Sequence, residues 1–137
     1  MTTAEQKKET AQRFNKEFIE NANMDAFNEI IAPVFINQTA PQGMPKGPEG
    51  VVCFFNHFLR SAFPDMRVEI QKQIAENDMV TTHKVFHVTH RGDFMGIPAT
   101  GKKIGIEVMD IIRLQNGKFI EHWGVVNWQQ VVSELTS

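Results

Sequence analysis

Apolar residues recur at two different periods along this chain, and the change of period divides it. In the first half Ala11, Phe14, Phe18 and Ala22 fall at helical spacing with Lys and Glu between them. Thr2 or Thr3 opens a capping-box pattern just ahead of them. Asn23 is placed to cap a second, short helix that Pro33 stops. Residues 34–37 read as a short strand, and the stretch QTAPQGMPKGPEG, with three prolines and three glycines, reads as a loop. Pro48 then suits the first position of a third helix, which is apolar at 51, 52, 54, 55, 58, 59 and 62. So wide a stripe predicts a helix buried on most sides. Pro64 ends it.

Beyond Pro64 the period drops to two. Met66, Val68, Ile70 and Ile74 alternate with Arg67, Glu69, Gln71 and Gln73. A polar turn leads into a strand at 80–90, a Gly- and Pro-containing loop follows, and a strand at 104–114 meets Asn116-Gly117, the strongest hairpin signal in the chain. Residues 119–128 close the hairpin, and the tail either forms a short helical turn or frays. Helices grouped ahead of an antiparallel meander mean an α+β fold. The length, 137 residues, suits one domain over residues 1–137.

Composition narrows the function classes. A net charge of −2 gives no reason to expect nucleic acid as a partner. No apolar run approaches membrane-spanning length, and the polar N-terminus lacks a secretory apolar segment. With a single cysteine, Cys53, the chain can form no internal disulfide, which fits a reducing compartment, and the cytoplasm is the expected location. Eleven Phe, two Trp and no Tyr make the aromatic mass almost purely hydrophobic, suited to a core or a dry cavity.

Against this background a few polar residues stand out. Residues 106, 108, 110 and 112 share one strand face as Ile, Val, Asp and Ile, so Asp110 sits among aliphatic neighbours, where a carboxylate must be paired, bonded or protonated. It is either an acid held in an apolar site or a structural group bonded to backbone, Arg113 or Lys103. On the closing strand Ile120, His122, Gly124 and Val126 share a face. A plain two-residue turn would set Asp110 opposite Trp123 and away from His122, whereas one bulge would bring the two together. Gly124 is itself unusual in a strand interior: a bulge, a space for a ligand, or a missing group.

On strand 80–90 the even positions are the more apolar, so they are expected to face the helices, pointing Lys84 and His90 inward. His90 is a candidate base or donor, or a tie between the sheet and the next loop. Lys84 could pair with Asp110, but snorkelling past a sheet edge, or a shifted register, is the ordinary expectation. His83 and His87 lie ~13 Å apart on a strand and cannot share a metal. No cluster has ligand spacing, so neither a metal nor another cofactor is expected.

The stretch GDFMGIPATGKKIGIEVMDIIRLQNGKFIEHW, with FPDMRVEI upstream, resembles the SnoaL-like polyketide (ester) cyclase family of the nuclear-transport-factor-2-like (NTF2-like) superfamily. The resemblance runs from the first helix to about Asn127. It implies an NTF2-like cone: a curved, mostly antiparallel sheet wrapped around three N-terminal helices, with a pocket at the open end. Phe14, Phe18, Gln38, Phe54, Phe58, Lys84, Val108, Ile112 and Gly124 are the expected pocket residues, with Asp110, His122 and His90 as the catalytic candidates. In the family's cyclases an acid/base Asp follows the Trp of the closing strand, and Gly124 stands at that place. Asp110 falls where those cyclases carry a His, and where the superfamily's ketosteroid isomerases carry a protonated Asp that donates to an oxyanion. Gln38 stands where many members have a His, and His90 and His122 match histidines common in the family.

The implied activity is cofactor-independent acid/base chemistry, an aldol cyclisation or isomerisation, on a small apolar carbonyl compound, with Asp110 as neutral donor and His122 as base. The alternatives are a binding module that has lost the acid/base Asp at Gly124, or a dimerisation scaffold whose cone is filled by Phe14, Phe18, Phe54, Phe55 and Phe58. Met79, Thr81, Val85 and Met109 leave the outer sheet face semi-apolar, which with the superfamily's habit predicts a homodimer through that face.

Overall fold

The computed structural model describes residues 2–137. Helix α1 (Ala4–Arg13) opens on a complete capping box: the Thr3 hydroxyl accepts from the Gln6 N–H at 3.1 Å, and the Gln6 side chain accepts from the Thr3 N–H at 2.8 Å. It runs on without a break as a π-helical segment, Phe14–Glu20. Helix α2 (Met24–Ile30) is capped by Asn23 as its sequence predicts. Helix α3 (Pro48–Val52) has Pro48 in its first turn and continues through a second π-helical segment, Cys53–Leu59, and a last turn, Arg60–Ala62. The tail does not fray: Trp128–Leu135 is helix α4, anchored by the buried Val131 and Leu135.

The strands are β1 (Ile31–Asn37), β2 (Arg67–Glu76), β3 (Met79–Thr89), β4 (Lys103–Gln115) and β5 (Lys118–Val126). They form one curved, unclosed sheet in the order β1-β5-β4-β3-β2. All neighbours are antiparallel except β1, which joins β5 in parallel. The fold is therefore α+β and NTF2-like, with the sheet's concave face packed on the helices.

Two local features set what that face presents. The β4–β5 turn has φ of 54° at Asn116 and 75° at Gly117, the two left-handed residues that a type I′ turn requires. Just beyond it the register slips. Leu114 pairs with Phe119 but Arg113 pairs with Glu121, so Ile120 is an extra residue, and Asp110 comes to lie opposite Gly124 rather than Trp123. The bulge thus puts Asp110, His122 and Gly124 on one face.

On β3 the even residues point inward as predicted, from Val80 at 0% exposure through Thr82, Lys84, Phe86 and Val88, each at 3% or below. The aromatic rings do not fill the cone. Phe18 packs against Phe14 and Phe27 with ring centroids 5.3 and 4.7 Å apart, and Phe58 packs against Phe94 at 5.2 Å, leaving hollow space between these groups. No helix among the described residues is long and apolar enough to cross a membrane.

Candidate active site

The hollow is a cavity of about 480 Å³ between the concave sheet face and the helices, within the size range of small-molecule sites. Its walls are mostly apolar, and Lys84, Asp110 and His122 line it together with the polar side chains of Asn15, Asn37, Thr39 and Thr82. Strand β3 supplies Lys84, β4 supplies Asp110 and β5 supplies His122. The Lys84 ammonium lies 3.0 Å from Asp110 Oδ2, with the two side chains 4% and 7% exposed. Lys84 Nζ also donates to Asn15 Oδ1 at 2.8 Å, and lies 5.5 Å from the centre of the Phe86 ring. The Asn15 amide N–H donates to Ala11 O, which fixes its oxygen toward the lysine.

Snorkelling is therefore corrected for Lys84. It is buried because Asp110 lies within reach on the neighbouring strand and Asn15 meets it from the helix side. Burial pushes the Asp110 carboxyl up, but the Lys84 ammonium outweighs it and holds the group below the usual carboxylate range. A neutral, hydrogen-bond-donating Asp110 is thereby corrected to an ionised carboxylate: it has a cation beside it, which the isomerase-like arrangement lacks.

His122 Nε2 lies 3.7 Å from the same Asp110 oxygen, and its Nδ1 lies 2.8 Å from Asn37 Oδ1. The ring leans over Gly124. A Cβ built on Gly124 would stand 2.8 Å from His122 Cε1, closer than atoms tolerate, and 3.1 Å from Nε2, a tight contact. The glycine is thus a space, and the imidazole fills it. Gly124→Asp is expected to dislodge the ring and to cost about 1–3 kcal/mol of overpacking. The His122 imidazole resonances should move in its NMR spectrum, and unmoved resonances with unchanged stability would contradict this packing.

The other expected site residues divide. Phe14, Phe54, Val108 and Ile112 line the cavity, but Phe18, Phe58, Gln38 and His90 do not. In Phe14–Glu20 the i→i+5 bonding of a π-helix brings Ile19, five residues on, to the face of Phe14 and turns Phe18 into the core. Phe58 is held between Phe54, Phe94 and Trp128. Gln38 points away and donates to Glu121 at 2.8 Å. The His90 ring accepts from the Thr100 N–H at 3.2 Å, and its backbone bonds Gly101 and Lys102, so it ties the 91–102 loop to the sheet.

Sequence reasoning passed over Asn15, Asn37, Thr39, Thr82 and Trp128 in the cavity wall. Asn15 carried a usable signal, a polar residue beside Phe14 in an apolar stripe. Asn37 and Thr39 carried none, because they approach β5 only through the parallel β1 pairing, Asn37 to His122. No group of three or more His, Cys, Asp or Glu among the described residues could hold a metal ion.

Comparison with known proteins agrees with this fold. The chain superposes on IdmH of Streptomyces antibioticus, provisionally assigned as a polyketide cyclase, with a TM-score of 0.86 and 26% identity over 96% of this chain and 99% of that one. A provisionally assigned polyketide cyclase of Acidithiobacillus ferrooxidans gives 0.83 and 27%, covering 99% and 98% of the two chains. AclR of Streptomyces galilaeus, provisionally a hydroxylase, shares the fold at a TM-score of 0.85 and 22% identity, covering 98% of each chain. No functionally curated protein matches the chain at comparable significance. The sequence profile of the SnoaL-like polyketide cyclases matches residues 9–135. With the cone, the cavity and this match together, the chain belongs to the SnoaL-like polyketide cyclase family.

Proposed function

We propose that this protein is a cofactor-independent enzyme that moves protons on a small apolar carbonyl compound, in an aldol-type ring closure or an isomerisation. The observation that carries this reading is the meeting of Lys84, Asp110 and His122 in the wall of a mostly apolar cavity. His122 Nε2 takes a proton from the carbon next to the substrate carbonyl, leaving an enolate. The Lys84 ammonium stabilises the enolate oxygen, a charge that develops during the reaction in a mostly apolar cavity. Asp110 stays ionised and offsets the positive charge that His122 acquires. In ring closure the enolate carbon attacks a second carbonyl of the same molecule, and His122 returns the proton to the new alkoxide. In isomerisation it returns the proton to a different carbon.

The family's reaction gives the substrate class its direction, and Phe14, Phe54, Phe55 and Trp128 give it an apolar, ring-sized bed. The test is hydrogen–deuterium exchange at carbon. Bicyclic and tricyclic β-keto esters incubated with the protein in D₂O should gain deuterium at the acidic carbon faster than in buffer. Binding of these compounds without accelerated exchange would favour instead a ligand-binding module.

The same reading includes a homodimer through the outer sheet face, where Met109, Ile111 and Val125 are 50%, 37% and 72% exposed. Met109→Glu is expected to shift the sedimenting species from dimer to monomer, and a wild-type protein that sediments as a monomer would refute the pairing.

A further inference from the structure

The neutral His122 ring has two acceptors and one proton to give. Asn37 Oδ1 lies 2.8 Å from Nδ1, and Asp110 Oδ2 lies 3.7 Å from Nε2. Which nitrogen carries the proton decides what the ring can do. With the proton on Nε2, its cavity side is a donor already drawn to Asp110. With the proton on Nδ1, Nε2 presents a lone pair to the cavity and can accept a proton from a ligand.

The surroundings of Asn37 decide between these without sight of a hydrogen. The Thr39 backbone N–H, which can only donate, points at Asn37 Oδ1 at 3.2 Å, so this atom is the amide oxygen and not the nitrogen. The Thr39 hydroxyl accepts from the Gly124 N–H at 2.8 Å and lies 3.3 Å from the same oxygen, toward which its own proton turns. An oxygen so placed can only accept from His122, so Nδ1 is the protonated nitrogen. Asp110 competes weakly, because it is farther from the ring and the same oxygen already takes the Lys84 ammonium at 3.0 Å.

We infer that Asn37, held by Thr39, is a positioning residue that locks the neutral His122 ring as the Nδ1–H tautomer and so keeps Nε2 free as a proton acceptor facing the cavity. The catalytic meaning of this lock rests on the reading of His122 as base, whereas the tautomer itself does not. The arrangement also links the site to its surroundings. The loop that begins at Gln38 carries Thr39 and Pro41 into the cavity wall, and the β1–β5 pairing brings Asn37 level with His122. Without the side chain of Asn37, Asp110 becomes the strongest remaining acceptor, and the proton is drawn to Nε2.

The test is nitrogen NMR of the histidine rings in uniformly ¹⁵N-labelled protein, at a pH where His122 is neutral, with its signals identified by their loss in His122→Gln. Wild-type His122 should show a protonated Nδ1 and an unprotonated Nε2. Asn37→Ala should reverse the two, while Asn37→Asp, which restores an acceptor, should keep the wild-type pattern. Asn37→Ser, too short to reach the ring, repeats the reversal should Asn37→Ala not fold. Exchange at carbon should fall by about 10²-fold or more in the variants that reverse, toward the loss expected for a missing general base. A wild-type ring protonated on Nε2, a pattern unchanged on removing Asn37, or Asn37→Asp behaving like Asn37→Ala would each overturn the assignment. Absence of carbon exchange in every variant, with the tautomer pattern as expected, would sink the proposed reaction and leave the lock standing.

Discussion

Replacing His122 by Gln is expected to slow carbon-proton exchange by about 10²–10⁴-fold, the usual worth of a positioned general base. Glutamine keeps a polar side chain of similar reach but cannot cycle a proton. The ligand's dissociation constant should change little, because the apolar walls, and not the ring, supply most of the contact. Single-turnover exchange measured beside equilibrium binding separates the two quantities. Exchange that continues at the wild-type rate in His122→Gln would remove His122 from the chemistry, and the proton would have to be sought by another group in the cavity.

Breaking the buried Lys84–Asp110 pair from either side is expected to be among the most damaging single changes to stability. Asp110→Ala leaves the Lys84 ammonium buried beside Asn15 and Phe86 without a counter-charge, a cost of about 3–5 kcal/mol. Lys84→Met exposes the opposite charge to the same penalty. The double variant Lys84→Met/Asp110→Leu removes both charges and should recover most of the loss, since apolar replacements of buried ion pairs are often neutral or better. Denaturant unfolding of the four proteins measures this cycle. If the two single losses simply add in the double variant, the ions are not paired in solution.

The pH dependence follows with a definite sign. Asp110 titrates below its unfolded-state value, so its contribution is complete above a pH of about 4 and is lost as the pH falls through the folded-state value. Asp65 and Glu20 act in the same direction. Burial raises each, but the Thr89 hydroxyl and N–H outweigh it at Asp65, and the Val68 N–H followed by Lys16 outweighs it at Glu20. Acid unfolding should therefore be less steep in the double variant, which lacks one of the three groups.

Much of the fold was legible because it is encoded locally. The Thr3 capping box, the Asn23 cap, the position of Pro48 and the Asn116-Gly117 turn each fix a few dihedral angles with neighbours in sequence. The alternation along β3 identified its inward face correctly, because a strand's side-chain period leaves only two choices, although Lys84 on that face was expected to snorkel out. The resemblance carried by D.IRL.NGK and EHW indicated the family and the region of the cavity. It could not indicate how Gly124 is used, because a missing side chain says nothing of what occupies its volume.

By itself, then, the sequence determined most of the elements, the inward face of β3 and the family. Only the tertiary structure decided the chemistry of the site. The extra residue at Ile120 moved Asp110 from Trp123's side to that of His122 and Gly124, and π-helical winding exchanged Phe18 for Ile19 at the cavity wall. The parallel seat of β1 delivered Asn37 to His122, and the nearness of Lys84 made Asp110 a carboxylate. Each of these depends on the meeting of strands and helices distant in sequence. A slip of one residue there changes which side chains meet while leaving the local pattern of apolar and polar residues as it was.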